Sequence, residues 1–549
     1  MTSSSEVDAL VVGAGPTGLA LATQLQTFGA RFRIIDRLRD RTRESRALGV
    51  QARTLELLQT LGLGERLVGR GNSSTRLKLH LEGRPVAAVR LGDIGAVDTR
   101  FPFILFVSQV ETEDVLNEWL RASGVVIERG TELVSFERED DRLHCLLQRD
   151  DGPQERVHAR FLVGCDGAHS AVRKQSGIAF EGGTYPQDFA LGDVELDGPL
   201  EPKAINSFAG GGGVAMFFPL GRPTTWRVIA MAAGLQADAQ PRSSSGITSE
   251  LELADLQALV DPPTAGAVRL RDPAWLTRFH LHHRQTATYR AGNVFLAGDA
   301  AHIHSPVGAQ GMNTGIQDAW NLGWKIGLVA RGLARDRLLD TYEAERWPIG
   351  QFLLRYTDRL FSTFTRAMSG RPMATWARRV VVPHVIPHVL GSRRVRQTAF
   401  AFVSELGIRY RRSPAVAEGE PRQRSGPRAG DRLPDAEILV DGRRTYLQEA
   451  LAGPRLALLL CGDSRAWDLR GLDGLREHYG RVMATYWLGP PGSERSFVDE
   501  KGDAFARLGV RDTAQFLVRP DGYIAFRSAA STFGQLDQFL ADWYVAAKR

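Results

Sequence analysis

Residues 7–36 constrain the fold more than any other stretch of the chain. An apolar run, Val7–Val12, leads into the glycine-rich segment Gly13-Ala14-Gly15-Pro16-Thr17-Gly18, and a helical pattern of apolar residues continues to Gly29. A second apolar run then ends at Asp36. This order predicts a strand, a tight turn, a helix and a second strand, which together form a unit that binds dinucleotides.

Each glycine of segment 13–18 has its own role in such a unit. Gly13 permits the tight turn, Gly15 lets the backbone approach a pyrophosphate, and Gly18 lets the helix pack closely on the strand. The helix N-terminus presents N–H groups and a positive dipole end to the phosphates. Asp36 is placed to accept hydrogen bonds from an adenosine ribose, which disfavours NADP at this site and leaves FAD and NAD open.

Length and composition indicate a globular protein. The 549 residues suffice for two or three domains, and 43% of them are hydrophobic and 24% charged. The net charge of +6 is modest, and no basic block carries interleaved aromatic residues, so we expect no nucleic-acid partner. No apolar run is long enough to span a membrane, and the N-terminus lacks the pattern of a signal peptide.

The three cysteines, Cys145, Cys165 and Cys461, are widely spread and form no CxxC motif and no zinc spacing. This usage indicates a reducing compartment without a disulfide framework. We therefore expect a cytoplasmic protein with no metal site.

Two further motifs follow apolar runs later in the chain. Residues 161–163 lead into Asp166-Gly167, and residues 294–297 lead into Gly298-Asp299. Together with segment 13–18, these motifs stand in the order seen in the single-component (group A) FAD-dependent aromatic hydroxylases of the para-hydroxybenzoate hydroxylase type, and the chain resembles that family over about residues 5–410. The last part of the chain resembles the thioredoxin-like domain of the longer members, which include phenol hydroxylase and polyketide hydroxylases.

The resemblance implies an α/β fold in three parts. A Rossmann-like FAD-binding domain is formed by residues 1–74, 107–184 and 285–412, and a β-sheet substrate-binding domain by residues 75–106 and 185–284. A Pro/Gly/Arg-rich linker, 413–434, leads to a thioredoxin-like α/β domain at 435–549. Cys461 stands at the first redox position of a thioredoxin and Ser464 at the second, so we expect no thiol–disulfide activity.

The resemblance also implies which residues contact FAD. Segment 13–18 is expected to bind the pyrophosphate. Asp36, with Arg37 beside it, is expected to bind the adenosine ribose, and Asp299 the ribityl chain. The loop before the long helix brings backbone N–H groups to the pyrimidine edge of the flavin. The full set of implied FAD contacts is Gly13, Gly15, Pro16, Thr17, Gly18, Asp36, Arg37, Arg46, Gln109, Asp166, Gly167, Gly298, Asp299, Gly308, Gln310, Gly311, Met312 and Asn313.

The implied activity is a monooxygenase reaction that uses O₂ and NADPH or NADH as a transient reductant. A C4a-hydroperoxyflavin transfers oxygen to a phenolic or polycyclic aromatic substrate of the polyketide type. The arginine-rich, lysine-poor composition and the long form of the chain favour that substrate class. A simple phenolic catabolite, Baeyer–Villiger oxygenation on the same scaffold, and a non-oxygenating FAD-binding redox protein are the alternatives.

The residues that contact the substrate are less well determined by the sequence. Met216 and Phe218 alternate with Phe217 along one strand, so one face of that strand lines either an aromatic pocket or plain sheet core. Pro306 lies near the bound ring by resemblance. His283, Arg284 and Tyr289 are candidates for assisting phenol ionisation, although a structural role suits each of them as well. We expect small-molecule partners only, with the chain acting as a monomer or a homodimer.

Overall fold

The computed structural model of the chain describes residues 5–40, 47–73, 76–90, 98–150, 152–220, 224–232, 251–303, 310–368, 400–401, 403–490 and 497–547. Up to residue 303 its elements are β1 (Ser5–Val12), α1 (Pro16–Thr27), β2 (Phe32–Asp36), β3 (Gly49–Val50), α2 (Ala52–Gln59), α3 (Leu63–Val68), β4 (Arg76–Leu81), β5 (Arg84–Arg90), β6 (Leu105–Phe106), α4 (Gln109–Ala122), β7 (Ile127–Arg129), β8 (Thr131–Glu139), β9 (Arg142–Arg149), β10 (Gln154–Gly164), α5 (Ala171–Gln175), β11 (Phe180–Asp197), β12 (Ala204–Gly210), β13 (Gly213–Pro219), β14 (Trp226–Ala232), α6 (Leu253–Thr264), β15 (Arg269–Thr286), β16 (Arg290–Ala291), β17 (Val294–Leu296), a 3₁₀ helix (Gly298–Ala300) and β18 (His302–Ile303). The remaining elements are α7 (Gly311–Ala330), a 3₁₀ helix (Asp336–Leu338), α8 (Asp340–Met368), β19 (Ala417–Glu418), β20 (Glu437–Val440), β21 (Arg443–Tyr446), α9 (Leu447–Ala450), β22 (Leu456–Cys461), a 3₁₀ helix (Ser464–Ala466), α10 (Leu469–Tyr479), β23 (Met483–Gly489), β24 (Phe497–Val498), α11 (Asp503–Leu508), β25 (Ala514–Val518), β26 (Ile524–Ser528) and α12 (Gly534–Trp543).

The first sheet aligns the strands that precede the three sequence motifs. Its order is β16-β17-β10-β1-β2-β7, with β9 also paired to β10 and β8 paired to β9. The neighbours β17, β10, β1 and β2 run parallel, so that Val11 lies opposite Val163 and Ile34. Because parallel strands place their carboxyl ends at one edge, the turns after β1, β10 and β17 meet there, as the motif order predicts.

Helix α7 packs on α1 through glycines at one face. A Cβ atom at Gly323 would lie 2.4 Å from the Gln24 Cβ, and one at Gly327 would lie 2.4 Å from the Phe28 Cβ. Glycines four residues apart share a helix face, so the two backbones can approach more closely than larger residues would allow. This contact fixes the N-terminus of α7 beside the segment 13–18 that opens α1.

The second sheet forms the β-rich domain, with the order β18-β15-β11-β14-β13-β12-β4-β5. One face is covered by α6, where Phe208, Phe217 and Val228 join a buried cluster with Leu256 and Val260. Strands β11 and β15 extend across the predicted boundaries at 184/185 and 284/285. The two strands therefore carry the sheet across both predicted boundaries, with a register shift in their pairing between Thr184 and Asp188.

The third sheet, β19-β26-β25-β22-β23-β24-β20-β21, forms the C-terminal unit. Its central strand β22 is buried along its whole length. One face packs with α10 and α12 in the main core cluster, and the other packs with α9 and α11. The predicted linker contributes β19, which pairs with β26. Cys461 is buried on this sheet, and burial raises the pKa of its thiol.

The C-terminal unit docks on the first domain through buried charges. Arg519 pairs with Glu345 of α8 at 2.6 Å and with Asp521, and Lys325 of α7 lies 2.9 Å from Glu345. Burial alone would raise the pKa of Glu345, but Arg519 and Lys325 lower it well below its ordinary value. Burial in turn lowers the pKa of Lys325 to about 8. Within the described ranges, no helix is both long and apolar enough to cross a membrane.

We expect Glu345→Gln to destabilise the folded protein by about 3–5 kcal/mol, because it removes the buried carboxylate that pairs with both Lys325 and Arg519. Denaturant unfolding monitored by circular dichroism measures the change. The matched control is Glu437→Gln, since Glu437 is partly exposed and pairs with Arg444 and Lys501 at the surface. Equal midpoints for wild type and Glu345→Gln would contradict this account of docking.

Candidate active site

The turn after β1 shows two kinds of glycine. A Cβ at Gly13 would lie 2.4 Å from the carbonyl oxygen of Cys165, and one at Gly18 would lie 1.9 Å from the carbonyl oxygen of Gly13. These two glycines are needed for contacts inside the protein. A Cβ at Gly15 would meet no protein atom within 4 Å, so its space is open to a ligand.

Asp36 closes the same turn from the end of β2. Its Oδ2 accepts a hydrogen bond from the Ala14 N–H at 2.7 Å, and its Oδ1 accepts one from the Leu38 N–H at 2.9 Å. A carboxylate retains further lone pairs after two such bonds, so it can still accept from a ribose hydroxyl. The neighbouring Arg37 is exposed.

Asp166 caps the short helix α5. Its Oδ2 accepts from the backbone N–H groups of Ala171 and Val172, at 2.6 and 3.3 Å. Burial raises the pKa of this carboxyl, and its Oδ1 is buried without a hydrogen-bond partner among the described residues. Gly167 follows with a φ of +75°, a conformation that favours glycine.

Arg173 joins the second motif to the third. It donates to the carbonyl oxygens of Ala168 at 2.9 Å and Ala300 at 3.2 Å, and its guanidinium lies 4.1 Å from the ring centroid of Phe180. The sequence places Arg173 one turn after the motif, but only the fold shows that it bridges the two turns.

The Gly298 turn lies directly against the first motif. Gly298 has a φ of +60°, and a Cβ there would lie 2.4 Å from the Thr17 Oγ1. A Cβ at Gly315 in α7 would also lie 2.4 Å from that atom. Thr17 is therefore enclosed by two glycines, while Asp299 is exposed at the open edge.

Asp318 of α7 holds the Gly298 turn from beneath, and sequence analysis missed it. Its Oδ2 accepts from the Gly298 N–H at 3.1 Å and lies 2.7 Å from the His302 Nε2, while its Oδ1 accepts from the Arg346 Nε at 2.7 Å. Burial opposes ionisation, but Arg346 and His302 lower the pKa of Asp318 below its ordinary value. The carboxylate thus stays charged in the core.

The N-terminus of α7 is open where the resemblance places the flavin. A Cβ at Gly311 would meet no atom within 4 Å, and the neighbouring Met312 is half-buried. The Asn313 side chain donates to the Gly49 carbonyl and accepts from the Gln51 N–H, both at 2.8 Å. Both polar atoms of the Gln310 amide are buried without a partner among the described residues.

Gln109 is a further predicted flavin contact. Gln109 opens α4, where its Nε2 donates to Glu113 at 2.8 Å and its Oε1 accepts from the Ala47 N–H at 3.3 Å. Arg46, Gly308 and the predicted substrate contact Pro306 lie outside the described residues. Among the described residues, no group of three or more His, Cys, Asp or Glu side chains is placed to hold a metal ion.

The residues at this edge fit FAD. Space for a ligand lies at Gly15 and Gly311, the N-termini of α1 and α7 point to that edge, and the buried Gln310 amide and Asp166 Oδ1 have polar capacity to spare. Helix N-termini stabilise both a pyrophosphate and negative charge on a reduced flavin.

One face of the second sheet is turned to this edge. Met216 and Phe218 are half-buried on it, whereas Phe217 points to the opposite face and is fully buried. The Phe218 ring lies 5.8 Å from that of Phe106, and a small cluster with Leu48 and Ile229 fills the junction. We call this face, with Leu77, Phe189, Leu191, Ile205, Val214, Met216, Phe218, Ile229 and Met231, the apolar platform.

Arg227 is the buried cation on the platform, and sequence analysis did not select it. Its Nε and Nη2 donate to both carboxylate oxygens of Asp193, at 2.6 and 2.7 Å, and the Trp275 Nε1 donates to Asp193 at 2.9 Å. Its Nη1 donates to the Ala47 carbonyl at 2.7 Å. This hydrogen bond links the second sheet to the first domain. In the sequence, a charged residue inside the apolar run 226–231 indicates that Arg227 is a buried, paired cation.

The three candidates for phenol activation lie in different surroundings. Tyr289 is fully buried beside the His302 ring, and burial raises the pKa of its hydroxyl well above the ordinary value. His283 packs its ring against the backbone of Gly183. Arg284 lies on β15 opposite Ile303 of β18. Only His283 and Arg284 are thus near the surface of the sheet.

We expect Gly15→Ala to weaken FAD binding at least tenfold, about 1.4 kcal/mol, while the apoprotein keeps its stability to within about 0.5 kcal/mol. The added methyl group enters only the ligand's space. Gly18→Ala should instead destabilise the apoprotein, since its Cβ meets backbone. Flavin fluorescence titration and apoprotein unfolding separate the two effects, with Gly453→Ala as the control at an open position far from the turn. Unchanged FAD affinity in Gly15→Ala would contradict the assignment.

Comparison with known proteins agrees with this geometry. Residues 6–357 match the FAD binding domain family, and residues 426–547 match the aromatic-ring hydroxylase C-terminal family. The chain is 35% identical to a 6-methylpretetramide 4-monooxygenase of Streptomyces rimosus, covering 95% of this chain and 91% of the relative. It is 37% identical to a rifampicin monooxygenase of Streptomyces venezuelae, covering 98% and 99%.

A solved structure extends the likeness to the whole fold. The ternary complex of aklavinone-11 hydroxylase with FAD and aklavinone superposes with a TM-score of 0.75 at 27% identity, covering 98% of this chain and 99% of that one. The predicted α/β fold, the FAD cofactor and the enzyme class are confirmed. The chain belongs to the FAD-dependent aromatic-ring hydroxylases, and it is a flavin-dependent monooxygenase.

Proposed function

We propose that this enzyme hydroxylates a polycyclic phenol. NAD(P)H supplies two electrons, one atom of O₂ enters the ring as a hydroxyl group, and the other leaves as water. The observation that carries the substrate class is the half-buried part of the apolar platform, formed by Leu77, Met216, Phe218 and Ile229, which reaches across the sheet from β4 to β14. A surface of that width suits several fused rings better than a single one.

The residues at the carboxyl ends of β1, β10 and β17 would hold the cofactor. Segment 13–18 and Asp36 would take the pyrophosphate and the adenosine ribose, and Asp299 the ribityl chain. Gly311, Met312 and Asn313 would present the N-terminus of α7 to the pyrimidine edge, where its dipole stabilises negative charge without reorganisation. When bound, FAD accepts electrons from NAD(P)H and activates O₂, chemistry that no side chain can supply.

The platform would position the ring and exclude water. Its named side chains are apolar, and the buried ion pair Arg227–Asp193 beside them is neutral as a unit. A neutral polycyclic substrate therefore meets no uncompensated charge there, whereas a small carboxylate finds no free cation in that pair. His283 and Arg284 remain the candidates for contacting the phenol oxygen, since Tyr289 is enclosed in the core. We place the enzyme in the cytoplasm as a monomer or a homodimer.

An oxygen-electrode assay on the FAD-loaded enzyme tests the proposal. NADH or NADPH is added with and without a panel of hydroxylated naphthoquinones, anthraquinones and simple phenols, and the products are identified by mass. We expect polycyclic phenols to stimulate O₂ uptake and to gain one oxygen atom. Stimulation by monocyclic phenols alone would overturn the substrate class, and O₂ uptake that no aromatic compound stimulates would overturn hydroxylation.

We expect Phe218→Ala to raise the KM for a polycyclic substrate about tenfold, because burial of one aromatic face contributes on the order of 1.5 kcal/mol. The protein should keep its fold. The matched control is Phe217→Ala on the opposite face, which should cost about 3–5 kcal/mol of stability by opening a cavity in the core. Steady-state kinetics and unfolding curves distinguish the two variants. An unchanged KM in Phe218→Ala would remove Phe218 from the platform's contact surface.

A further inference from the structure

Glu405 lies in a turn between the N-terminus of α7 and the apolar platform. Val403, two residues earlier, packs with the cluster that contains Phe106 and Met216. The carbonyl oxygen of Ser404 accepts a hydrogen bond from the Arg53 N–H at 3.1 Å. The turn thus sits beside both predicted ligand surfaces, although the carboxylate of Glu405 itself faces α7.

The backbone of Glu405 adopts a conformation that side chains rarely take. Its φ is +60°, in the left-handed region, where a residue with a Cβ carries a cost of about 1 kcal/mol or more. Such positions persist when the surrounding structure requires them, and they are frequent at functional sites. Here the conformation carries the carboxyl group into the core, where only 2% of the residue is exposed.

The carboxyl group is bound by neutral groups of α7. The Thr314 Oγ1 donates to its Oε1 at 3.3 Å, and the Gln317 Nε2 donates to its Oε2. No Lys, Arg or His side chain of the described residues pairs with it. Arg346 of α8 is the charge that favours ionisation, but it is engaged by Asp318 and Tyr410, and the Asp318 carboxylate opposes ionisation. Burial prevails and raises the pKa of Glu405 to about 8.

Glu405 is close to the part of α7 that meets the flavin. Thr314 directly follows Gly311, Met312 and Asn313, and all four residues belong to the first turn of the helix. A charge that appears beside this turn acts on the same site as the helix dipole, through an interior that screens it weakly.

We propose that Glu405 is a positioning residue that holds a proton beside the first turn of α7 and, by releasing it, adds a further downward shift to the reduction potential of the bound flavin as the pH rises. This rests on the proposed placement of the flavin at α7. With Glu405 neutral, the α7 dipole acts on the reduced flavin without opposition. Ionised Glu405 adds a negative charge that disfavours the reduced cofactor, so the potential falls as the proton leaves.

The test compares the flavin potential of wild type and Glu405→Gln as a function of pH, by spectroelectrochemical titration of the FAD-loaded enzyme. Glutamine has nearly the same shape and cannot ionise. We expect the two potentials to run parallel below about pH 7 and wild type to fall below the variant above about pH 8. Parallel curves over the whole range would overturn the proposal.

Two further variants make the comparison specific. Gln317→Leu removes a donor that favours ionised Glu405, so it should move the divergence to higher pH. Asp435→Asn is the matched control, because Asp435 is another buried carboxyl with a pKa raised by burial to about 7 but lies in the C-terminal unit. Its curve should follow wild type. A divergence from Asp435→Asn as large as from Glu405→Gln would also overturn the proposal. If Glu405→Gln does not fold, Gln317→Leu is compared with wild type directly, and equal potentials at every pH would overturn the proposal.

A measurement without FAD separates this proposal from the proposed function. Glu405 has a folded pKa above its unfolded value, so its contribution to stability is full below about pH 4.5 and is lost as the pH rises through about 8. The unfolding free energy of the wild-type apoprotein, relative to Glu405→Gln, should therefore fall between about pH 5 and about pH 9. A flat difference would overturn the proton-holding role even in an enzyme that hydroxylates normally.

Discussion

The parallel alignment of β17, β10 and β1 is the constraint on which the rest of the structure depends. It brings three turns that are far apart in the sequence to one edge of a sheet. The turns then fit together only because glycines occupy the contact points, with Gly13 against Cys165 and Gly298 against Thr17. These glycines serve contacts within the protein, whereas a Cβ at Gly15, Gly167 or Gly311 would meet no atom within 4 Å, so the space there is open to a ligand. The same edge faces the apolar platform of the second sheet, so cofactor and substrate surfaces follow from one arrangement of strands.

The features that could be predicted from the sequence are those determined by residues close together in the chain. The motifs at 13–18, 166–167 and 298–299, the long helix after them and the alternation of Met216, Phe217 and Phe218 each depend on neighbouring residues. The sequence could not pair Arg227 with Asp193, Asp318 with Arg346, or Glu345 with Arg519, because each pair joins residues that only the fold brings together. The bounds of the second domain were hard to predict for a related reason, since β11 and β15 run through both domains without a turn.

The C-terminal unit is bound to the catalytic part by buried charges as well as by apolar packing, since one face of its sheet belongs to the main core cluster. Arg519 and Asp521 lie within the cluster of Glu345, Lys325 and Asn321, and the Tyr523 ring lies 4.2 Å from that of Tyr410. Tyr410 in turn accepts a hydrogen bond from Arg346, the partner of Asp318 beneath the Gly298 turn. A continuous buried network therefore connects the C-terminal unit to the turn at Gly298.

The central claim is that this chain transfers oxygen from O₂ to an aromatic ring. Turnover under isotope-labelled O₂ in unlabelled water, with product analysis by mass spectrometry, tests it most directly. We predict that the product carries one labelled oxygen atom, in the new hydroxyl group, for each NAD(P)H consumed in productive turnover. A hydroxylated product whose new oxygen comes from water would contradict the account.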